Sequence, residues 1–79
     1  MQLQIRVRLH GHLHVYVEQK SPEFEMELPT EATLAELIRI LRIPEAEVAM
    51  IILNGENAAP STILSNDDSV SIFSAIGGG

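Results

Sequence analysis

The sequence has no cysteine. This absence excludes disulfides, thiolate nucleophiles and cysteine-based metal or iron–sulfur sites, so any sulfur chemistry has to use an atom outside a cysteine side chain. Long apolar runs are also missing, and nothing approaches the roughly 18 residues that a membrane span needs. The first residues alternate polar and apolar side chains, unlike the basic and then continuously apolar start of a secretory signal. We therefore expect a soluble protein of the cytoplasm.

Basic residues are few, with 5 lysines and arginines against 11 aspartates and glutamates, and the formal net charge is −6. A chain of this charge repels phosphate backbones, so we expect neither a nucleic acid nor a membrane as partner. A basic surface on another protein would be attracted.

The 79 residues make one domain, residues 1–79, near the lower size at which a single core folds unaided. A chain of this length buries about 60% of the surface that its unfolded form exposes. Because 46% of the residues are hydrophobic, the composition can supply that core. No internal repeat or linker divides the chain.

Two stretches alternate apolar and polar side chains with a period of two, which predicts half-buried strands. The apolar positions of the first strand are Leu3, Ile5, Val7 and Leu9. Those of the second are Phe24, Met26 and Leu28, which alternate with glutamates and so leave an acidic face in solvent. Residues 11–22, between them, are compatible with either a strand or a loop.

A helix is predicted to start after Thr33, because Thr33 and Glu36 have the spacing of a capping box. An apolar stripe with helical spacing follows, consisting of Leu34, Leu37, Ile38 and Leu41. We assign this stripe to the core and expect the helix to end at Ile43-Pro44, since a residue before proline avoids the α region.

The second half of the chain predicts two more strands. The apolar run 48–53 indicates an inner strand and ends at Asn54-Gly55, a pair that suits a tight turn. A final strand is expected from Val70 to about Ser74. The order of elements predicts an α+β fold, a mixed sheet of four to five strands with one helix packed across one face.

One face of such a sheet has no helix over it. The run 48–53 is apolar on both sides of the pleat, so either Val48, Met50 and Ile52 or Ala49, Ile51 and Leu53 would lie on the uncovered face. Phe73 is out of phase with Val70 and Ile72 and would join that face. An exposed apolar patch there predicts a surface that docks a partner. The alternative is that loops cover it.

His10, His12 and His14 suggest a metal site, since alternate residues of one strand share a face. Gly11 is expected to bend the chain between them, and no fourth ligand follows from the spacing. We therefore favour three surface histidines and no metal.

Catalytic groups are not indicated elsewhere. No nucleophile motif surrounds the serines after residue 60, which are Ser61, Ser65, Ser69, Ser71 and Ser74. Two carboxylate pairs, Glu45 with Glu47 and Asp67 with Asp68, could in principle exchange protons. Sequence neighbours on turns are usually solvated charge, so we predict that the chain has no active site of its own.

The chain ends in a flexible tail, residues 76–79, whose last three residues are glycines. Without a Cβ atom, Gly77, Gly78 and Gly79 could thread a narrow channel in another protein and present the terminal carboxylate there. Extended at about 3.3 Å per residue, Ile76 to Gly79 reach roughly 13 Å. The alternative is an inert, frayed terminus.

Several of these features occur together in one known family. They are the segment Thr33-Leu34-Ala35-Glu36-Leu37, the pair Ile43-Pro44 with Glu47-Val48-Ala49, the turn Leu53-Asn54-Gly55, the strand Asp68-Ser69-Val70-Ser71-Ile72-Phe73 and the glycine tail. In this order they resemble the MoaD/ThiS family of ubiquitin-like sulfur carriers. The resemblance implies a β-grasp (ubiquitin-like) fold, and it covers most of the chain apart from residues 10–22.

The resemblance also implies a function. In this family a ubiquitin-activating-type enzyme uses ATP to adenylate the terminal glycine carboxylate, which then becomes a thiocarboxylate that gives sulfur to a biosynthetic enzyme. Gly79 would be the site of attachment, Gly77 and Gly78 would line the partner's channel, and Phe73 and Ile76 would be apolar anchors. The chain would bind no cofactor itself. It would be a carrier or the non-catalytic small subunit of a synthase.

Departures from the family pattern leave the acceptor pathway open. Molybdopterin synthase small subunits often carry two prolines where this chain has Ser74-Ala75, and the tail looks closer to the thiamine-pathway carriers. The long segment 10–22 is instead more like the molybdopterin type. The third glycine leaves either Gly78 or Gly79 as the working end.

Two other functions fit the same tail. One is a ubiquitin-like modifier that forms isopeptide bonds with lysines, and the other is a non-covalent binding module with an inert tail. Lys20 is the only lysine, so chains built on the protein itself are disfavoured.

Overall fold

The computed structural model describes residues 2–17 and 22–75. Five strands and one α-helix make up this part of the chain: β1 (Gln2–Leu9), β2 (Glu23–Pro29), α1 (Leu34–Ile40), β3 (Val48–Leu53), β4 (Glu56–Asn57) and β5 (Ser69–Ser74). Two short 3-10 helices cover Leu13–Tyr16 and Glu45–Glu47. Within these described ranges, no helix is long and apolar enough to cross a membrane.

The strands form one mixed sheet in the order β2-β1-β5-β3-β4. β1 and β5 lie side by side and parallel at its centre, and every other neighbouring pair is antiparallel. The chain therefore brings its N-terminal and C-terminal strands together. The sheet and its single helix confirm the predicted α+β class.

The core lies between the sheet and α1. β1 alternates strictly between exposed and buried residues, and Ile5, Val7 and Leu9 are almost fully buried. The same core contains Leu34 and Leu37 of the helix. Burial of these side chains, at about 25 cal/mol per Å² of apolar area, is the main driving force for folding.

The helix begins as predicted. The Thr33 hydroxyl accepts a hydrogen bond from the Glu36 backbone N–H at 3.2 Å, and the Glu36 carboxylate accepts one from the Thr33 N–H at 3.2 Å. The helix ends at Ile40, earlier than the expected boundary at Ile43-Pro44. The reason is Arg42, whose φ of 62° turns the chain into the left-handed region.

This helix end is a Schellman motif. The N–H of Arg42 donates to the carbonyl of Arg39 at 3.0 Å, and the N–H of Ile43 donates to the carbonyl of Ile38 at 3.2 Å. The side chains of Ile38 and Ile43 are both buried, in keeping with the hydrophobic contact that often accompanies this motif. Arginine thus occupies the position where glycine is most common.

Asn54 and Gly55 form the predicted tight turn, with φ values of 51° and 90°. Asn54 also ties the turn to β5, since its side-chain carbonyl accepts from the Ser69 N–H at 2.9 Å. The turn leads into the two-residue β4, which the sequence did not indicate.

Residues 11–17 are a loop that contains a 3-10 helix, so the strand alternative for this part of the segment is wrong. Leu13 and Val17 are buried, whereas Val15 between them is 54% exposed. The exposure of Val15 breaks the alternation that the sequence suggested, because Leu13–Tyr16 form a 3-10 helix and the chain is extended again only at Val17.

Candidate functional site

The uncovered face of the sheet carries apolar residues at β3 and β5. Phe73 lies opposite Met50, and Ile52 lies opposite Ser71. Ile51 instead faces the core opposite Ile72, and both are buried. Met50, Ile52 and Phe73, which we call the apolar patch, therefore share the uncovered face.

The third predicted member of this set, Val48, does not join the apolar patch. The register between β3 and β5 shifts between Val48 and Met50, which breaks the alternation of side chains. Val48 packs against the core as a result, and the neighbouring Ala49 is exposed. Periodicity in the sequence cannot reveal such a bulge.

A histidine covers part of the apolar patch. The His10 ring stacks on Phe73 with ring centroids 4.0 Å apart and an angle of 7° between the planes. Phe73 is consequently half-buried, whereas Met50 is 40% exposed. The alternative that a loop covers this face is thus correct for Phe73 and wrong for Met50.

The other half of the same face is charged. Arg8 pairs with Glu23 at 2.7 Å and Arg6 pairs with Glu25 at 3.4 Å, each across the β1–β2 ladder. The hydrogen bond from Arg8 lowers the pKa of Glu23. The uncovered face is therefore divided into a charged half and an apolar half.

The last described residues of the chain, Ser74 and Ala75, form what we call the tail root. The N–H of Ala75 donates to the backbone carbonyl of Glu47 at 2.7 Å. On the other side lies Gly11, with a φ of 74° and so little space that a Cβ atom there would come within 3.0 Å of the Ser74 Cβ. Because Ser74 directly follows Phe73, the tail root lies beside the apolar patch.

Ile76, Gly77, Gly78 and Gly79 lie outside the described residues. Their predicted roles, as apolar anchor, channel lining and attachment site, stay predictions. The docking role predicted for the apolar patch also stays a prediction; the structure places its three residues on one face of the sheet.

The Glu47 carboxylate is hydrogen-bonded and its side chain is only 20% exposed, which corrects the expectation of solvated charge for this member of the pair. Glu45 is exposed, as expected. The Oε1 atom of Glu47 lies 2.9 Å from His12 Nε2, and its Oε2 accepts from the Tyr16 hydroxyl. The Tyr16 bond and, to a smaller extent, His12 lower the pKa of Glu47, whereas the same bond raises the pKa of Tyr16. We call His12, Tyr16 and Glu47 the Glu47 cluster; sequence reasoning missed it.

Asp68 is also structural. It is 9% exposed and accepts hydrogen bonds from Asn54 Nδ2 at 2.8 Å and from the Ser65 N–H at 2.7 Å. Asp67 beside it is exposed. The two adjacent carboxylates therefore face different surroundings and do not form the pair that acid–base catalysis would need.

The three histidines are half-buried, so the expectation of surface histidines is correct only in part; the His12 side chain is still 42% exposed. His10 stacks on Phe73, His12 contacts Glu47, and His14 has an Nδ1 atom that is buried without a hydrogen-bond partner. Among residues 2–17 and 22–75, no three histidine, aspartate or glutamate side chains come together as a metal site requires.

Comparison with known proteins gives one family and several similar folds. A sequence model described as the ThiS family matches residues 7–79. A search of curated protein sequences found none that matches.

One similar solved structure is the complex of subunits 1 and 2 of molybdopterin-converting factor from Helicobacter pylori. Its subunit 1 is 25% identical to this chain, with a TM-score of 0.64, and the match covers 98% of this chain and 100% of the subunit. A protein named as a molybdopterin converting factor subunit 1 from Pyrococcus furiosus is 22% identical, with a TM-score of 0.73, and the match covers 91% of this chain and 97% of that protein. Small archaeal modifier protein 1 of Haloferax volcanii is 15% identical, with a TM-score of 0.72, and the match covers 90% of this chain and 95% of that protein. These similarities confirm the ubiquitin-like β-grasp fold.

Proposed function

The chain belongs to the ThiS family, and we propose that it is a sulfur carrier whose C-terminal glycine carboxylate is adenylated and then converted to a thiocarboxylate. The observation that carries this proposal is the family match over residues 7–79, which includes the glycine tail. The apolar patch beside the tail root supports it, because a partner that takes the tail has an adjacent surface on which to dock.

The chemistry needs an enzyme that this chain does not provide. A carboxylate is a poor electrophile, so a ubiquitin-activating-type enzyme first transfers AMP from ATP to the terminal carboxylate and releases pyrophosphate. Sulfide from a donor then attacks the acyl carbon, and AMP leaves. Sulfur resides on the main chain at Gly79, which is compatible with a chain that has no cysteine. The protein is a co-substrate in this scheme and binds no cofactor of its own.

The thiocarboxylate then gives its sulfur to a biosynthetic enzyme of the molybdopterin or thiamine type. The Helicobacter pylori relative was solved with its subunit 2. By analogy, Met50, Ile52 and Phe73 dock the acceptor, Ile76 anchors beside them, and Gly77 and Gly78 pass through its channel.

The adenylation step is tested by pyrophosphate exchange with the activating enzyme of the same organism. Wild type should stimulate ATP–pyrophosphate exchange. Gly78→Phe should abolish this stimulation, because a side chain at this position blocks a channel that fits glycine. The circular dichroism spectrum of the folded protein should stay unchanged. Full activity of Gly78→Phe would contradict the channel, and no exchange with wild type would contradict the proposed function.

A modifier would be activated in the same way, so a second readout separates the two functions. If the protein is a modifier, its glycine tail should be found attached to lysines of other proteins after incubation with ATP and a cell extract. Sulfur carriage predicts a thiocarboxylate on the free protein instead.

A further inference from the structure

We propose that the Glu47 cluster is a clamp that fixes the direction in which the tail leaves the domain, which makes His12 and Tyr16 positioning residues for activation of the terminal carboxylate. The clamp itself follows from contacts of the described residues. Its role in activation rests on the proposed function.

Glu47 holds the tail root with its backbone and is itself held by its side chain. Its carbonyl accepts the hydrogen bond from Ala75, while its carboxylate is bonded to His12 and Tyr16. The Glu47 side chain is only 20% exposed, whereas that of His12 is 42% exposed, so the carboxylate side of the cluster is the better shielded from water. His12 and Glu47 are 35 positions apart in the chain, so the cluster joins two loops that have no local connection.

The loop that carries His12 and Tyr16 also touches the tail root from the opposite side. The His10 N–H donates to the Ile72 carbonyl at 2.9 Å, and the His10 ring stacks on Phe73. Gly11 lies against Ser74. The end of β5 therefore lies between this loop and the Glu45–Glu47 turn.

The ladder between β3 and β5 needs this support. It runs in regular register from Leu53 to Met50, but the register shifts before the last pair, Val48 with Ser74. A strand end with irregular pairing opens more easily than the rest of the sheet. The Glu47 cluster supplies the missing restraint at the point where the tail begins.

A restrained tail root lowers the entropy that binding has to remove, because fewer backbone conformations are lost when the tail enters a channel. This effect changes the affinity for the activating enzyme and not the chemical step at Gly79. Loss of the clamp should therefore raise KM and leave kcat unchanged.

Three variants test the clamp. Glu47→Ala removes the carboxylate, and Tyr16→Phe removes one hydroxyl while keeping the ring in place, which guards against a variant that fails to fold. Glu45→Ala is the matched control, since it removes the same charge from an exposed position of the same turn.

The first readout is hydrogen exchange of the Ala75 amide by NMR, which needs no enzyme. Exchange should become at least about fivefold faster in Glu47→Ala and Tyr16→Phe, the change expected for the loss of about one hydrogen bond. Glu45→Ala should match wild type, and the Ile72 amide should stay protected in all variants. Unchanged Ala75 exchange in both variants would overturn the clamp.

The second readout is pyrophosphate exchange with the activating enzyme. KM should rise about fivefold or more with Glu47→Ala and Tyr16→Phe at constant kcat. Faster Ala75 exchange with an unchanged KM, or a fall in kcat alone, would overturn the positioning role. If wild type itself is not activated, the proposed function fails and the positioning role fails with it, while Ala75 exchange still decides whether the clamp exists.

Discussion

Asp67 and Asp68 show how strongly the surroundings decide what a residue does. Each oxygen of Asp68 accepts one hydrogen bond, from Asn54 and from Ser65. Asp68→Asn replaces one of these oxygens by an amide N–H that faces a donor, so the free energy of unfolding should fall by about 1–3 kcal/mol in urea denaturation. Asp67→Asn is the control and should change it by less than about 0.5 kcal/mol, since asparagine accepts the left-handed φ of 69°. Equal losses in the two variants would contradict the structural role of Asp68.

The lowered pKa of Glu47 predicts how stability depends on pH. A carboxyl whose pKa is lowered by folding stabilises the protein fully above its ordinary pKa of 4.5, and this contribution disappears as the pH falls through the lowered value. The other titratable side chains of the cluster are His12 and Tyr16.

Wild type should therefore be more stable than Glu47→Gln at about pH 6, and the difference should shrink as the pH falls below about 4.5. Chemical denaturation at a series of pH values measures it, with Glu45→Gln as the control for general acid effects. A difference that stays constant, or grows, toward acid pH would show that the Glu47 carboxylate does not contribute in this way.

The Glu47 cluster could not be predicted from sequence for a physical reason. Its contacts join residues 31 to 35 positions apart, and no periodic pattern marks them. The sequence showed only two glutamates on a turn, for which solvation is the ordinary outcome. The stacking of His10 on Phe73 is equally non-local.

At the scale of elements, the end of α1 gives the sharpest prediction. Arg42 occupies the left-handed position of a Schellman motif, which costs a residue with a Cβ atom about 1–2 kcal/mol. Glycine would relieve this strain, but it would also raise the conformational entropy of the unfolded chain, which lowers the free energy of unfolding by about 0.4–1 kcal/mol. Arg42→Gly should therefore raise the free energy of unfolding by about 0.5–1 kcal/mol.

The matched control lies three residues earlier on the same helix. Arg39 is helical, so Arg39→Gly should lower the free energy of unfolding by about 1 kcal/mol. Thermal or urea denaturation of the two variants should give shifts of opposite sign. Destabilisation by both would mean that the Arg42 side chain contributes more than its backbone strain costs.

Elements with strong local signals were predictable, and the others were not. The alternation of β1 and β2, the Thr33 capping box and the Asn54-Gly55 turn each follow from neighbouring residues and are confirmed. β4 has two residues, too few for any periodicity, and it forms because the turn returns Glu56 to Leu53. The early end of the helix was missed because arginine stands where glycine would have marked it.

At the scale of the whole molecule, the apolar patch is the surface on which we propose that a partner docks to reach the tail root. Met50 is its exposed member, so Met50→Glu should weaken binding to the activating or sulfur-accepting enzyme at least about tenfold, as expected for a buried interface residue. Ile63, which is 61% exposed beside the start of α1, provides the matched control.

Ile63→Glu adds the same charge at a different surface and should leave binding unchanged. Isothermal titration with each enzyme measures both variants. Equal weakening would point to a general effect of negative charge, and no effect of Met50→Glu would remove the apolar patch as the docking surface.

The overall architecture could be predicted because the order of elements in so short a chain leaves few ways to cover one sheet with one helix. The exposed face could be narrowed to two sets of residues but not decided, since residues 48–53 are apolar on both sides of the pleat. The bulge near Val48, which removes Val48 from its set, leaves no mark in the sequence. The function of the tail depends on the sequence and the family match, because Ile76 to Gly79 lie outside the described residues.

Intact mass spectrometry of the untagged protein tests sulfur carriage most directly. The protein would be measured before and after incubation with ATP, its ubiquitin-activating-type enzyme and a sulfide source. Sulfur carriage predicts a mass increase equal to the replacement of one oxygen by sulfur, located in the C-terminal peptide and absent when ATP is omitted. A folded protein that is adenylated but never gains sulfur at its C-terminus would contradict it.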